Sequence, residues 1–189
     1  ESHASRAAER RAAIEDRLAD HRERMASRAA QLRDRLADFK DRRKATLVER
    51  INNVLTMINE KRTDAMRRHL ERMSELLDKL QERVDNKVAQ GQDGTAANQA
   101  IASASASIAS ASAAVDAQAL KDYNIEVSSE SAVREDSKEA RDALHDDLQG
   151  VRRLVVAAKQ AVANAIRVAA TTLGGIGEGS QEATEGGSQ

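Results

Sequence analysis

The chain of 189 residues has no cysteine, no proline and no tryptophan, and only one phenylalanine (Phe39) and one tyrosine (Tyr123). The lack of cysteine excludes disulfides, thiol catalysis and Cys-ligated zinc. The near-absence of aromatics removes the stacking platforms that single-stranded nucleic acid needs. No apolar stretch approaches the ~18–20 residues that span a bilayer. Glycine is also missing from Glu1 to Gln90, and Gly91 is the first helix-breaking residue. An uninterrupted run rich in Ala, Arg, Glu, Leu and Asp predicts one continuous α-helix. At 1.5 Å per residue, ~85 helical residues would reach about 130 Å.

The residues that are present are small and charged. Ile, Leu, Val, Met, Phe39 and Tyr123 together make 40 residues, and another 36 are Ala. That is too little bulk for a thick core but enough for narrow seams between helices. Residues 1–44 carry 13 Lys/Arg against 9 Asp/Glu, and residues 91–189 carry 8 against 14. A basic arm and an acidic body can attract each other between copies. The alternative is an ordinary solvated charge pattern.

Residues 1–13 hold almost no apolar bulk and are expected to fray. The first seam is sparse: Ile14, Leu18, Met25, Leu32, Leu36 and Phe39, with Leu18, Met25, Leu32 and Phe39 seven apart. It is a candidate inter-subunit seam. From residue 45 the stripe thickens along Leu47, Ile51, Leu55, Ile58, Met66, Met73, Leu77, Leu80, Val84 and Val88, with Val54, Leu70 and Leu76 widening it. These positions fit an eleven-residue repeat, which implies nearly straight packing.

Gly91-Gln92-Asp93-Gly94 reads as a turn, with Asp93 or Thr95 capping the next helix. Residues 95–120 are Ala/Ser-rich, with Ile101, Ile108 and Val115 seven apart, a spacing that favours a thin helix over a flexible linker. Tyr123, Ile125 and Val127 alternate with polar residues, a short strand signal. The segment 121–128 is either an edge strand for another copy or an extended connector. Ser128 or Ser129 can cap a last helix over 129–172, with Glu130 in its first turn. Its seam runs along Leu144, Leu148, Val151, Val155, Val162 and Ile166. Gly150 falls in mid-helix, where close approach of another backbone would explain it. Residues 174–189 form a Gly/Ser/Glu tail.

The expected fold is all-α. One very long N-terminal helix and two shorter ones build an elongated three-helix bundle (45–89, 95–120 and 129–172, connector 121–128) within 45–173. The basic helical arm, 1–44, projects from it, and the flexible tail 174–189 completes the chain.

No chemistry stands out. His3, His21, His69 and His145 lack metal-ligand spacing, and His145 beside Asp142, Asp146 and Asp147 reads as a surface histidine among acids. His69 reads as a packing residue of the seam. No nucleophile elbow, phosphate loop or EF-hand is present. The sequence therefore points to no catalytic, cofactor-binding or metal-binding residue, no small-molecule substrate, and no cofactor. Arg42-Arg43-Lys44 and the arm could follow nucleic-acid phosphates, but acids are interleaved throughout.

Four segments carry a resemblance by their order: Glu49-Arg50-Ile51-Asn52-Asn53-Val54-Leu55, the Ala/Ser helix, the Tyr-Asn-Ile-Glu-Val segment and Asp147-Leu148-Gln149-Gly150-Val151-Arg152. Over about 45–170 the chain resembles uncharacterised, predicted-secreted helical proteins of candidate-phyla-radiation (Patescibacteria) bacteria. The resemblance implies a bacterial, exported protein and supplies no catalytic residues. A start at Glu1 suggests removal of a signal peptide. The expectation is a non-enzymatic, extracellular or cell-surface structural protein. The 14–39 seam of one copy would dock on the body of the next and polymerise into a filament or surface layer. The alternatives are an elongated adhesin or spacer, and a nucleic-acid-binding helical protein. A membrane role for the mature chain is disfavoured.

Overall fold

The computed structural model describes residues 3–174; the expected tail beyond Gly174 lies outside the described residues. The described chain is all-helical and contains no strand: α1 His3–Ala37, α2 Arg42–Ala89, α3 Thr95–Ala119 and α4 Val133–Thr172. Helix α1 begins at His3, so the fraying expected of residues 1–13 is not seen from His3 onward.

The single long helix is broken at residues 38–41, where neither glycine nor proline stands. The side chain of Asp41 caps α2 by accepting from the backbone N–H of Arg43 (3.0 Å) and Lys44 (3.4 Å). Glu130, expected in the first turn of the last helix, reaches across instead. Its carboxylate accepts from the N–H of Lys40 (3.1 Å) and Asp41 (3.2 Å). Four N–H groups at the break are thus satisfied by two carboxylates at a helix N-terminus, where negative charge is favoured.

The break lets α1 fold back antiparallel along α2, so the arm does not project. Pairs equidistant from Asp41 meet: Arg11 Nε lies 2.9 Å from Glu71 Oε1, and Met25 lines the same shallow cleft as Met57. Ile14, Leu32 and Leu36 are buried by this packing, and Leu18, Met25 and Phe39 are half-buried. The seam assigned to a neighbouring copy is covered by the chain's own α2.

Helix α2 runs the length of the body, about 72 Å. A Schellman motif ends it: Gly91 N–H donates to Val88 O and Gln92 N–H to Lys87 O, with Gly91 at φ +88°. Asp93 then accepts from Thr95 N–H and opens α3. A Cβ on Gly94 would sit 2.4 Å from Val88 Cγ2, so the turn needs glycine for closeness as well as conformation. Helix α3 returns only halfway up α2, and residues 120–132 continue upward without regular structure before α4 descends. The expected strand at Tyr123, Ile125 and Val127 is this connector. Tyr123 and Ile125 are buried, and Ile125 N–H donates to the Asn52 side chain, which leaves no free edge. The last helix starts at Val133 rather than 129. Ser129 Oγ accepts from Ala132 N–H in the preceding turn, and Glu130 is committed to the start of α2.

Two apolar clusters stack along the axis. The lower joins Leu70, Met73, Leu77, Leu80 and Val84 of α2 to α3 and to α4 from Val151 to Leu173. Its α3–α4 contact is lined by fully buried alanines, Ala97, Ala104 and Ala111 against Ala158, Ala165 and Ala169. Small side chains let these backbones approach closely, so the thin low-complexity helix is a packed element. By length and composition α3 and α4 are each long and apolar enough to cross a bilayer, contrary to the expectation that no stretch is; both pack in the bundle. The upper cluster joins Leu32 and Leu36, Ala45, Val48 and Leu55, Tyr123 and Ile125, Val133 and Leu144.

Gly150 faces open space, with no neighbour near an added Cβ, so the close-approach explanation fails. Its replacement by alanine should therefore raise stability by about 0.5–1 kcal/mol, read from the urea midpoint. Ala104→Leu, by contrast, has no room and should cost about 1–3 kcal/mol or more, measured the same way.

Candidate functional site

Between the two apolar clusters lies a polar layer built from all three body segments. Asn59 of α2 is buried; its Nδ2 donates to the carbonyl of Gln118 (3.0 Å), and its Oδ1 accepts from Gln118 Nε2 (3.0 Å). Gln118 Nε2 also donates to the Tyr123 hydroxyl (2.6 Å), which donates to Asp147 Oδ2 of α4 (2.7 Å). Lys121 Nζ closes the chain on Asp147 Oδ1 (2.8 Å). One turn below Asn59, Thr63 Oγ1 returns to the Asn59 carbonyl (2.8 Å). Every partner is a neutral amide or hydroxyl except the Lys121–Asp147 end, which reaches solvent.

Electrostatics follow from that gradient. Burial pushes the Tyr123 phenol above its ordinary value, and the hydrogen bond to Asp147 adds to the effect. Lys121 holds the Asp147 carboxyl below the usual aspartate value, with burial opposing and Tyr123 assisting. On α1, burial and then Arg24 lower His21, while Asp122 and Glu60 pull the other way. The guanidinium of Arg28 pairs with Asp122 next to it. Basic arm and acidic body therefore do meet, within one chain.

The arrangement ties α2, the end of α3, the connector and α4 together. Among the described residues no three His, Cys, Asp or Glu side chains could hold a metal ion. His145 shares a hydrogen bond with Gln149 (2.7 Å), while Asp142 is engaged by Arg141 and Lys138. His69 is half-buried on α2.

The α2 seam differs from its expected course. Leu55, Met73, Leu77, Leu80 and Val84 are buried, and Ile51, Ile58 and Met66 half-buried, but Leu47 and Val88 are exposed, as are Val54 and Leu76. Val48, fully buried, takes the place of Leu47. The observed line is Ala45, Val48, Asn52, Leu55, Asn59, Thr63, Met66, Leu70, Met73, Leu77, Leu80 and Val84. Its steps alternate between three and four except at Leu55–Asn59–Thr63, where two steps of four adjoin. This is a heptad seam with one stutter, not an eleven-residue repeat, and the stutter coincides with the polar layer. Tracing apolar residues alone misses Asn52, Asn59 and Thr63. The signal that finds them is their own spacing of seven and four. On α3, Ile101, Ile108 and Val115 are buried. On α4, Leu144, Val151, Val155 and Val162 are buried and Leu148 half-buried, while Ile166 is exposed because Ala165 faces the core in its place.

Compared with protein-family models, curated proteins and solved structures, the chain matches none.

Tyr123→Phe leaves Gln118 Nε2 without its 2.6 Å acceptor and should cost about 1–3 kcal/mol in chemical denaturation. The pH dependence carries a sign. The Asp147 carboxyl is lower in the folded chain than in the unfolded one, so its contribution is full above its ordinary value of 3.8 and is lost as pH falls through the lowered value. Asp147→Asn should flatten the acid limb of stability against pH, monitored as helical ellipticity at fixed urea.

Proposed function

We propose that this chain is a non-enzymatic structural protein of the bacterial cell exterior that self-assembles through side-by-side helix packing into a filament or surface layer. The observation that carries the reading is an apolar stripe on α2 that the described chain covers only in part. Leu47 and Val54 are 50% and 37% exposed, and the half-buried Ile51 and Ile58 share their face. The steps from Leu47 to Ile58 are four, three and four, the spacing of a helix–helix seam.

The occupant of this stripe is a second copy. Basic residues border it (Arg50 and Lys61), which suits contact with the acidic residues 91–189 of a neighbour. The body is about 72 Å long and Asn59, Gln118, Tyr123 and Asp147 bind one another inside it, so length and surface are its means of engaging a partner.

A second reading, a monomeric or dimeric spacer or adhesin, is favoured by one feature. Ile14, Leu32 and Leu36 are already buried on α2, which removes the arm's seam from the surface a neighbour can use. Negative-stain microscopy with light scattering separates the two. Extended particles are expected from the unaltered chain, and Leu47→Glu with Val54→Glu should abolish them without loss of helical ellipticity. A monodisperse small particle at all concentrations overturns the assembly reading in favour of the spacer. Salt-sensitive DNA binding would favour a nucleic-acid role instead.

A further inference from the structure

We propose that α1 is an exchangeable element: two copies can each release α1 and lay it on the α2 of the other, forming a domain-swapped dimer with a hinge at residues 38–41. The inference rests on the assembly reading and gives it a building block. Four observations carry it.

The first is the hinge itself. Asp38-Phe39-Lys40-Asp41 contains no glycine or proline, and no non-glycine residue of the described chain has a positive φ. Every hinge residue can therefore adopt helical geometry without strain. A loop of four residues is also short, and short hinges favour exchange over closure.

The second is local hydrogen bonding. In the closed form, the N–H groups of Lys40, Asp41, Arg43 and Lys44 rely on the carboxylates of Glu130 and Asp41. In a continuous helix the same four groups would bond to carbonyls four residues earlier. Each of these N–H groups thus has a partner in both forms, and the caps from Asp41 and Glu130 together with packing of α1 keep the hinge folded.

The third is register. Arg11 and Glu71 each stand 30 residues from Asp41, and Met25 and Met57 each stand 16 away. If the hinge straightens, two such helices, each about 130 Å long, can pair antiparallel with Asp41 opposite Asp41. Every arm contact of the closed form, including Ile14, Leu32 and Leu36 burial and the Arg28–Asp122 pair, is then remade between copies. The pair is two-fold symmetric and closed.

The fourth is charge at the pivot. Exposed Arg42 and Arg43, beside Lys40 and Lys44, lie at the same end of the body as Glu130, Glu135 and Asp136. Bringing two pivots together sets the basic cluster of one copy against the acidic cluster of the other.

The absence of native cysteine makes the test direct. One full-length chain carries Arg11→Cys and a second, with a different tag, carries Glu71→Cys. They are unfolded together, refolded, and treated with a short bismaleimide. The expected result is an adduct between the two tagged chains in the dimer fraction from size exclusion with light scattering. Replacing the second chain by one carrying Lys61→Cys, ten residues or about 15 Å out of register, should give none. Asp41→Ala with Glu130→Gln, which removes the caps of the closed hinge, should raise the dimer fraction several-fold at equal concentration. Two glycines inserted after Asp38 should abolish it while leaving helical ellipticity unchanged. Dimers or larger assemblies that yield no adduct between chains overturn the exchange and leave assembly through the α2 stripe standing. Adduct-bearing dimers with nothing larger support the exchange and overturn the filament. A chain that stays monomeric in every variant overturns both.

Discussion

Helix α3 is about half as long as α2, and the rest of the architecture depends on how that shortfall is met. Where α3 ends, α2 still has roughly 27 Å of its core face to cover. An extended chain covers that distance in about eight residues, and the connector 120–132 does so while threading Tyr123 and Ile125 into the upper core. Its backbone has no sheet partner and must be satisfied by side chains. Asn59 accordingly binds the end of α3 and the carbonyl of Lys121, and Asn52 receives Ile125 N–H. The buried amides on α2 are the anchor points of a segment that has no other.

The polar layer also separates two kinds of packing. Below it, three helices meet through alanine and β-branched residues at close spacing. Above it, two helices, a strand-like connector and the end of α1 share one cluster. The stutter in the α2 seam falls at the junction, where the face of α2 must turn from one set of neighbours to the other. A layer that satisfies its own hydrogen bonds in only one alignment sets the axial register of α2 against α3 and α4, which uniform alanine seams would leave loose.

Much of the helical content is legible in composition and spacing. The Gly91–Gly94 turn, the heptad of Ile101, Ile108 and Val115, and the seam from Leu144 to Val162 obey local rules that hold wherever the segment finds an apolar neighbour. Apolar spacing misplaces the α2 seam near Leu47 because asparagine and threonine read as surface residues. Asn52 and Asn59 are buried because the connector and the end of α3 supply partners that no local pattern announces, while Thr63 bonds back to its own helix. Gly150 misleads in the opposite sense: no backbone approaches it.

Sequence alone determined that residues 14–89 would be helical nearly throughout, that the body would be thin, and that its seams would be narrow. These depend on propensity and on periodicity, which act within a few turns. The fold-back at Asp41 was decided only in three dimensions. Residues 38–41 are compatible with helix, and the break exists because Glu130, 89 residues away, completes the cap while Leu32 and Leu36 find the upper core. Local preference favoured helix there, and long-range capping and burial overrode it.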